Sequence, residues 1–256
     1  GGHQCRRPVG RQIANLIVYG CEGLTFEGLA FRDRIDNAKN GLLIRVSKHI
    51  TVRGCEFAFQ GNGIGHLSCT DLMIERNTFH DLRSDGVAGG DGCARITIRG
   101  NTFTDFHPQP GDHPDAIQIW TAKAVAPTTD ITIEDNVILR GQGGAVQGVF
   151  LGDESAGKYP YQRVRIIGNL LAGTGTNGIA VGGGDDILIA DNTVAGVGTG
   201  NDVSRIRVQG VTNAVLRDNQ AQEFVFPTGK AGVEETGSKV IAPVKDGGAA
   251  LLAARD

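Results

Sequence analysis

A short phrase recurs along this chain: alternating apolar residues, then an asparagine or a stand-in, then another apolar residue. The clearest copies are residues 72–79 (LMIERNTF), 96–103 (ITIRGNTF), 131–138 (ITIEDNVI), 164–171 (VRIIGNLL) and 187–194 (ILIADNTV), with 24–31 (LTFEGLAF), 50–57 (ITVRGCEF) and 214–221 (AVLRDNQA) as weaker ones. Superposed, they place Leu29, Cys55, Asn77, Asn101, Asn136, Asn169, Asn192 and Asn219 in one column, at spacings of 26, 22, 24, 35, 33, 23 and 27 residues. A unit of that length cannot bury its own apolar face and must stack on its neighbours, which is the mark of a solenoid. The unit is β, because its apolar residues alternate, as in Ile96 and Ile98, and Ile, Val and Thr dominate it.

The fold expected is all-β: a single-stranded right-handed parallel β-helix of about seven to eight coils over residues 1–226, then a tail or cap at 227–256 with a short helix at 249–255. Equivalent positions in such a spiral lie about 4.8 Å apart, the ordinary strand spacing. The asparagine column is therefore expected to stack as an internal amide ladder. Composition agrees, since 39 glycines against 10 Phe, 3 Tyr and 1 Trp suit tight corners around a narrow aliphatic core. A net charge of −3 lacks the basic excess of a nucleic-acid binder. No stretch approaches the roughly 18 apolar residues of a membrane span, so no membrane insertion is expected. The chain opens with neither a start methionine nor a signal sequence and reads as processed or trimmed.

Cys21, Cys69 and Cys93, with Ser47, each fall three residues before a repeat strand and are expected to form a column of small buried side chains. A disulfide between stacked Cys69 and Cys93 is the alternative. His3, His49, His66 and His107 fall in turns or at strand edges, where solvated or packed roles are expected. The spacing of His and Cys supports no zinc site.

A second polar column carries the chemistry. Asn40, Asn62, Asp85, Asp115, Gln147 and Asn177 are each followed by Gly or Ala and an apolar run. The column turns acidic on two adjacent coils, where stacked carboxylates raise one pKa unless a cation or a shared proton intervenes. The competing reading is that both aspartates cap tight turns. Alternation directs Ile117 and Ile119 inward, so a bend near Ala116 is needed for Asp115, Gln118 and Trp120 to share the outer face. The two longest intervals of the repeat flank this strand, and inserted loops on a solenoid collect on its binding face. His80, Arg83, Asp85 and Asp91 fall on the coil below. Arg140, Gln147, Asp153, Glu154, Lys158, Tyr159 and Tyr161 fall above.

The repeat, together with DHPDAIQIW (112–120), QGVFLGDE (147–154) and NGIAV (177–181), resembles bacterial right-handed parallel β-helix proteins of the pectate-lyase-like superfamily over residues 16–226. The resemblance implies an enzyme of an acidic, uronate-containing polysaccharide, a lyase or C5 epimerase, in a secreted, periplasmic or cell-surface location. Such chemistry removes a proton α to a carboxylate, so it needs a base and a means of neutralising the substrate carboxylate. His113 or Lys123 is the candidate base, with Asp85 and Asp115 completing the catalytic set. Gln118, Arg83 or a Ca²⁺ held by Asp85, Asp91 and Asp115 would neutralise the carboxylate. Trp120, His80, Arg140, Gln147, Lys158 and Tyr159 are the remaining candidates for substrate binding. Two readings stand beside this one. A glycoside hydrolase would use Asp85 with Asp115, or Asp115 with Asp153 or Glu154, as its carboxyl pair. A non-catalytic glycan-binding shaft would have little use for the His, Lys and Asp cluster.

Overall fold

The computed structural model describes residues 3–6, 12–36, 39–122, 124–198, 202–245 and 248–254. Strands stack in parallel, each pairing with its equivalent on the coils above and below, and they form three faces. The first face includes Asn40–Arg45, Asn62–Leu67, Val87–Gly90, Asp115–Trp120 and Gln147–Gly152. The second includes Lys48–Arg53, Thr70–Glu75, Ala94–Arg99 and Thr129–Glu134. The third is a separate sheet, of nine short strands among the described residues, from Ala30–Arg32 to Lys239–Val240.

The amide ladder is present. The backbone N–H of Asn101 donates to Oδ1 of Asn136 at 3.0 Å, and its side-chain Nδ2 donates to the same oxygen at 3.0 Å and to the carbonyl of Ile74 at 3.0 Å. The same bonds recur from Asn77 through Asn192. Each amide thereby satisfies backbone groups that the turn between the second and third faces leaves unpaired. Among the described residues, the one before each ladder position from Leu29 to Ser238 is left-handed, with φ between +52° at Arg76 and +67° at Gly237, which explains the Gly and Asp preceding the asparagines. Beside the ladder, Phe31, Phe57, Phe79 and Phe103 stack face to face with centroids 4.6, 4.9 and 4.6 Å apart. Ile, Val and Leu fill the rest of the interior.

The coils run further than the sequence reading places them. Val233–Thr236 pairs with Ala214–Arg217, Lys239–Val240 pairs with Gln220–Ala221, and Ser238 accepts the N–H of Asn219 at 3.4 Å. Residues 233–240 (VEETGSKV) are thus a further copy, with Gly237 for the usual Asp and Ser238 for Asn. The boundary at residue 226 moves accordingly, and a short helix at Ala249–Ala253 follows. The alternation of this copy was hidden by Glu235, which stands in the inward column of Leu216, Ile189, Ile166 and Ile133.

Cys69 and Cys93 are buried and free, with the N–H of Cys69 donating to Sγ of Cys93 at 3.2 Å, and Cys21 is half-buried. His66 takes the packed role, from within Asn62–Leu67 and not from a turn. It points into the core 3.5 Å from Sγ of Cys93, and burial pulls its pKa down to about 4.

Candidate functional site

On the first face, from the coil of Gly41 to that of Gly178, two consecutive residues turn inward. Ala116 and Ile117 are both fully buried, and a Cβ at the position equivalent to Ala116 on the coil below, Gly86, would strike the ring of Phe103 at 2.6 Å. This is the bend that Asp115, Gln118 and Trp120 require to face outward together. The small residue after each polar one is therefore a packing demand of the core, and the polar column is its outward consequence.

The column stacks as a hydrogen-bonded series. The N–H of Asp85 donates to Oδ1 of Asn62 at 3.0 Å, and the N–H of Asp115 donates to Oδ1 of Asp85 at 3.1 Å. Oδ2 of Asp115 accepts from Nε2 of Gln118 at 2.9 Å and lies 3.4 Å from Nδ1 of His113. Nε2 of His113 lies 2.7 Å from the side-chain amide nitrogen of Gln147, whose oxygen accepts from Asn177. The Asp115 side chain is wholly buried beneath these groups, and its Oδ1 has no partner. Burial, then the charge of Asp85, pushes its pKa up to about 8. Burial also raises Asp85, against the opposing bond from the Asp115 N–H. Above this buried acid, His113 is 68% exposed, so His113 is the group a ligand can touch.

Two loops wall this face. Residues 105–114 are pinned by Arg83, whose guanidinium grips Asp112 through two bonds of 2.8 Å and holds that carboxyl down at about 2. Residues 153–160 are organised by Asp153, which accepts from the Thr121 hydroxyl at 2.9 Å, the Ser155 hydroxyl at 2.6 Å and the Gly157 N–H at 2.7 Å. Above the acidic pair and beside the second loop opens a cleft of about 600 Å³, lined by Phe150, Glu154, Asn177, Ala180, Arg207 and Gln209 among others.

The structure thus brings together Asp85, His113, Asp115, Gln118 and Gln147, with Trp120 on the same strand. It does not bring in the rest. His80 is on the third face, bonded to Asp81 at 2.7 Å and Glu56 at 3.0 Å, and His107 joins the same Asp81 at 2.9 Å. The shortness of the third-face strands put His80 around a corner that the linear spacing did not reveal. Arg140 spans from the Gly173 carbonyl to Asp202, both at 2.8 Å. Arg83 spends its charge on Asp112. Lys158 lies 5.0 Å over the Tyr159 ring within the second loop. Tyr161 is buried, its hydroxyl 2.7 Å from the carbonyls of Ile119 and Gly152. Lys123 lies outside the described residues.

The calcium set does not fit. Asp91 lies beyond the far end of Val87–Gly90, roughly 20 Å from Asp85 at about 3.3 Å per strand residue, where the Ser68 hydroxyl reaches it at 3.3 Å. Among the described residues no three His, Cys, Asp or Glu side chains converge as a metal site. Sequence reasoning missed Phe150, Ala180 and Arg207. They continue the outward row of Gln118, with registers Gln118 to Phe150, Phe150 to Ala180 and Ala180 to Arg207. Arg207 is offset by the one-residue irregularity between Asn177 and Ile179.

A family model described as the right handed beta helix region matches residues 14–194. A search of curated proteins by sequence returns no match. Among solved structures, an alginate lyase from Paenibacillus sp. str. FPU-7 superposes with a TM-score of 0.58 at 14% identity, over 91% of this chain and 89% of that one. A mutant of the periplasmic alginate epimerase AlgG superposes with a TM-score of 0.58 at 16% identity, over 87% of this chain and 58% of that one. The tailspike protein of E. coli bacteriophage HK620, solved with a pentasaccharide, gives 0.57 at 12% identity, over 91% and 45%. These likenesses establish a shared fold.

Proposed function

This chain belongs to the right-handed β-helix family, and on that footing we propose that it is an extracytoplasmic enzyme acting on a uronate-bearing polysaccharide by β-elimination or C5 epimerisation. The observation that carries the reading is the exposed imidazole of His113 seated on the buried carboxyl of Asp115, whose Oδ1 has no partner. Structural likeness to an alginate lyase and an alginate epimerase supports the substrate class.

In this reading His113 is the base. Asp115 holds Nδ1–H, fixes the tautomer and stabilises the imidazolium that forms when Nε2 takes the C5 proton. Gln147, which occupies Nε2 in the free protein, gives way to the sugar and, with Gln118, is placed to bond the substrate carboxylate as charge spreads onto it. Elimination then breaks the C4–O4 bond, with the electron pair leaving on the oxygen. Epimerisation returns a proton to C5 from the other face.

The base form of the pair requires loss of the proton that Asp115 holds up to about 8. Turnover is therefore expected to rise as pH increases from 6 towards 8, and to lose that limb in Asp115→Asn. The deciding experiment incubates the protein with uronate-containing and neutral glycans and reads product mass, ultraviolet absorbance and sugar stereochemistry. An unsaturated end marks elimination, and inverted C5 without cleavage marks epimerisation. No change in any uronan refutes the reading. A second reading rests on the stacked acids: adjacent rungs put the Asp85 and Asp115 backbones near the carboxyl separation of a retaining hydrolase, about 5 Å. A gain of water in the product would select it.

A further inference from the structure

On the upper coils, arginines are matched to acids. Arg140 pairs with Asp202, Arg163 with Asp130, Arg165 with Asp186, Arg205 with Glu223 and Arg217 with Asp191 and Asp218. Arg207 is the exception. Its guanidinium is half-buried in the floor of the cleft, bonds Oε1 of Gln209 at 2.9 Å, and has no carboxylate within ion-pair distance among the described residues. The side chain two residues before it is neutralised and it is not. A guanidinium held this way, with donors left over and a cleft in front of it, is set for bidentate recognition of an anion.

The place of Arg207 in the register gives the geometry of that anion. Gln118, Phe150, Ala180 and Arg207 form one outward row on four successive coils. Phe150 leans over Gly152, where a Cβ would meet its ring at 2.8 Å, and it stands edge-on to His113 at 6.4 Å between centroids. Ala180, next in the row, is small. The row therefore runs from the imidazole, along an aromatic surface and past a low step, to an unneutralised cation, with loop 153–160 as a side wall. From Gln118 to Arg207 is three rungs, about 14 Å at the ordinary strand spacing. A pyranose chain linked through its 1 and 4 positions advances by about one rung per sugar.

We infer that the polysaccharide lies parallel to the solenoid axis, and that Arg207 grips the carboxylate of the sugar three units from the one reacting at His113. This rests on the function proposed above and extends it: Arg207 makes the protein selective for chains that carry a second acidic sugar three units from the reacting one, and it sets at four sugars the length from which that extra affinity is gained. Arg207 touches no reacting atom, so its effect falls on binding of long substrates.

The test uses uronate oligosaccharides of defined length, dimer to hexamer, with wild type, Arg207→Gln and Arg207→Lys. A charge-assisted bond of this kind is worth about tenfold or more in affinity. The wild type is expected to show a tenfold or greater drop in KM between trimer and tetramer. Arg207→Gln should abolish that step, leaving kcat and the trimer unchanged, and Arg207→Lys should restore part of it. An unaltered step in Arg207→Gln overturns the inference, and so does an equal loss on dimers and trimers, which marks a structural role. Binding of the hexamer by calorimetry in a His113→Ala background separates the two proposals. Binding that weakens on adding Arg207→Gln upholds the clamp even where no uronan is turned over. Equal binding with and without Arg207 removes the clamp while leaving the reaction centre standing.

Discussion

Asp115→Asn tests the electrostatics of the site without touching substrate. Asparagine keeps the shape of the side chain and its acceptor for Gln118, and cannot ionise. In the native protein the carboxyl titrates near 8, whereas in the unfolded chain it titrates near the ordinary aspartate value of about 3.9. The folded state thus holds a proton that the unfolded state releases. This contribution is complete below pH 4, falls as pH rises between the two pKa values, and is fully lost above the folded one. By pH 7 about three pH units of that interval have been crossed, each worth 1.36 kcal/mol, so about 4 kcal/mol of stability has gone. The variant escapes that loss. Urea unfolding of both proteins from pH 4 to 8 should show the variant gaining steadily on the wild type, to a relative advantage of about 4 kcal/mol at pH 7. Parallel profiles would show that Asp115 is ionised at neutral pH, and that burial and Asp85 do not govern it.

Asn136→Ala removes acceptance from both nitrogens of Asn101 and donation to Ile98 and Asn169, leaving buried backbone groups unpaired; a loss of about 3 kcal/mol in urea unfolding is expected. Phe79→Ala takes a ring from the middle of the stack and should cost about 3–5 kcal/mol by the same measurement. On the third face, burial alone would lower His80, but its bonds to Asp81 and Glu56 outweigh that and raise its pKa, while both carboxyls end lowered. The stability from this network should be greatest between the ordinary carboxylate range and neutrality. It should fall as pH rises through the folded pKa of His80, and as pH falls through those of the acids. A thermal melt series of His80→Ala against wild type should show the difference narrowing at both extremes.

The spiral and its asparagine ladder were legible because one column recurs in eight copies, six of them asparagine. The acidic pair was legible for the same reason, as a departure from a column that is otherwise neutral. What register alone could not supply was direction around the section. His80 and Asp85 are five residues apart and face different ways, because a left-handed Asp81 and a turn intervene. Asp91 and Asp85 sit on one coil yet at opposite ends of a strand, which undid the proposed cation site. Arg207 escaped notice because the irregularity at Asn177 shifts the alignment by one residue, and a count that does not allow for it places the arginine against the wrong neighbour.

Each rung of the asparagine series donates hydrogen in the same sense, from Cys55 towards Ser238, so the local order of every coil depends on the one that follows it. At the other end the series gives way to a sulfur acceptor, with the N–H of Leu29 reaching Sγ of Cys55 at 3.4 Å, and Ile17 and Tyr19 stand 60% and 66% exposed nearby. Opening should accordingly begin among the coils before Asn77 and travel upward, as it does in chains whose stability is a sum of neighbouring contacts. Amide hydrogen exchange would register this as a gradient of protection, shallow at residue 30 and deep by residue 101, so that the His113 coil stays intact while the lower turns breathe.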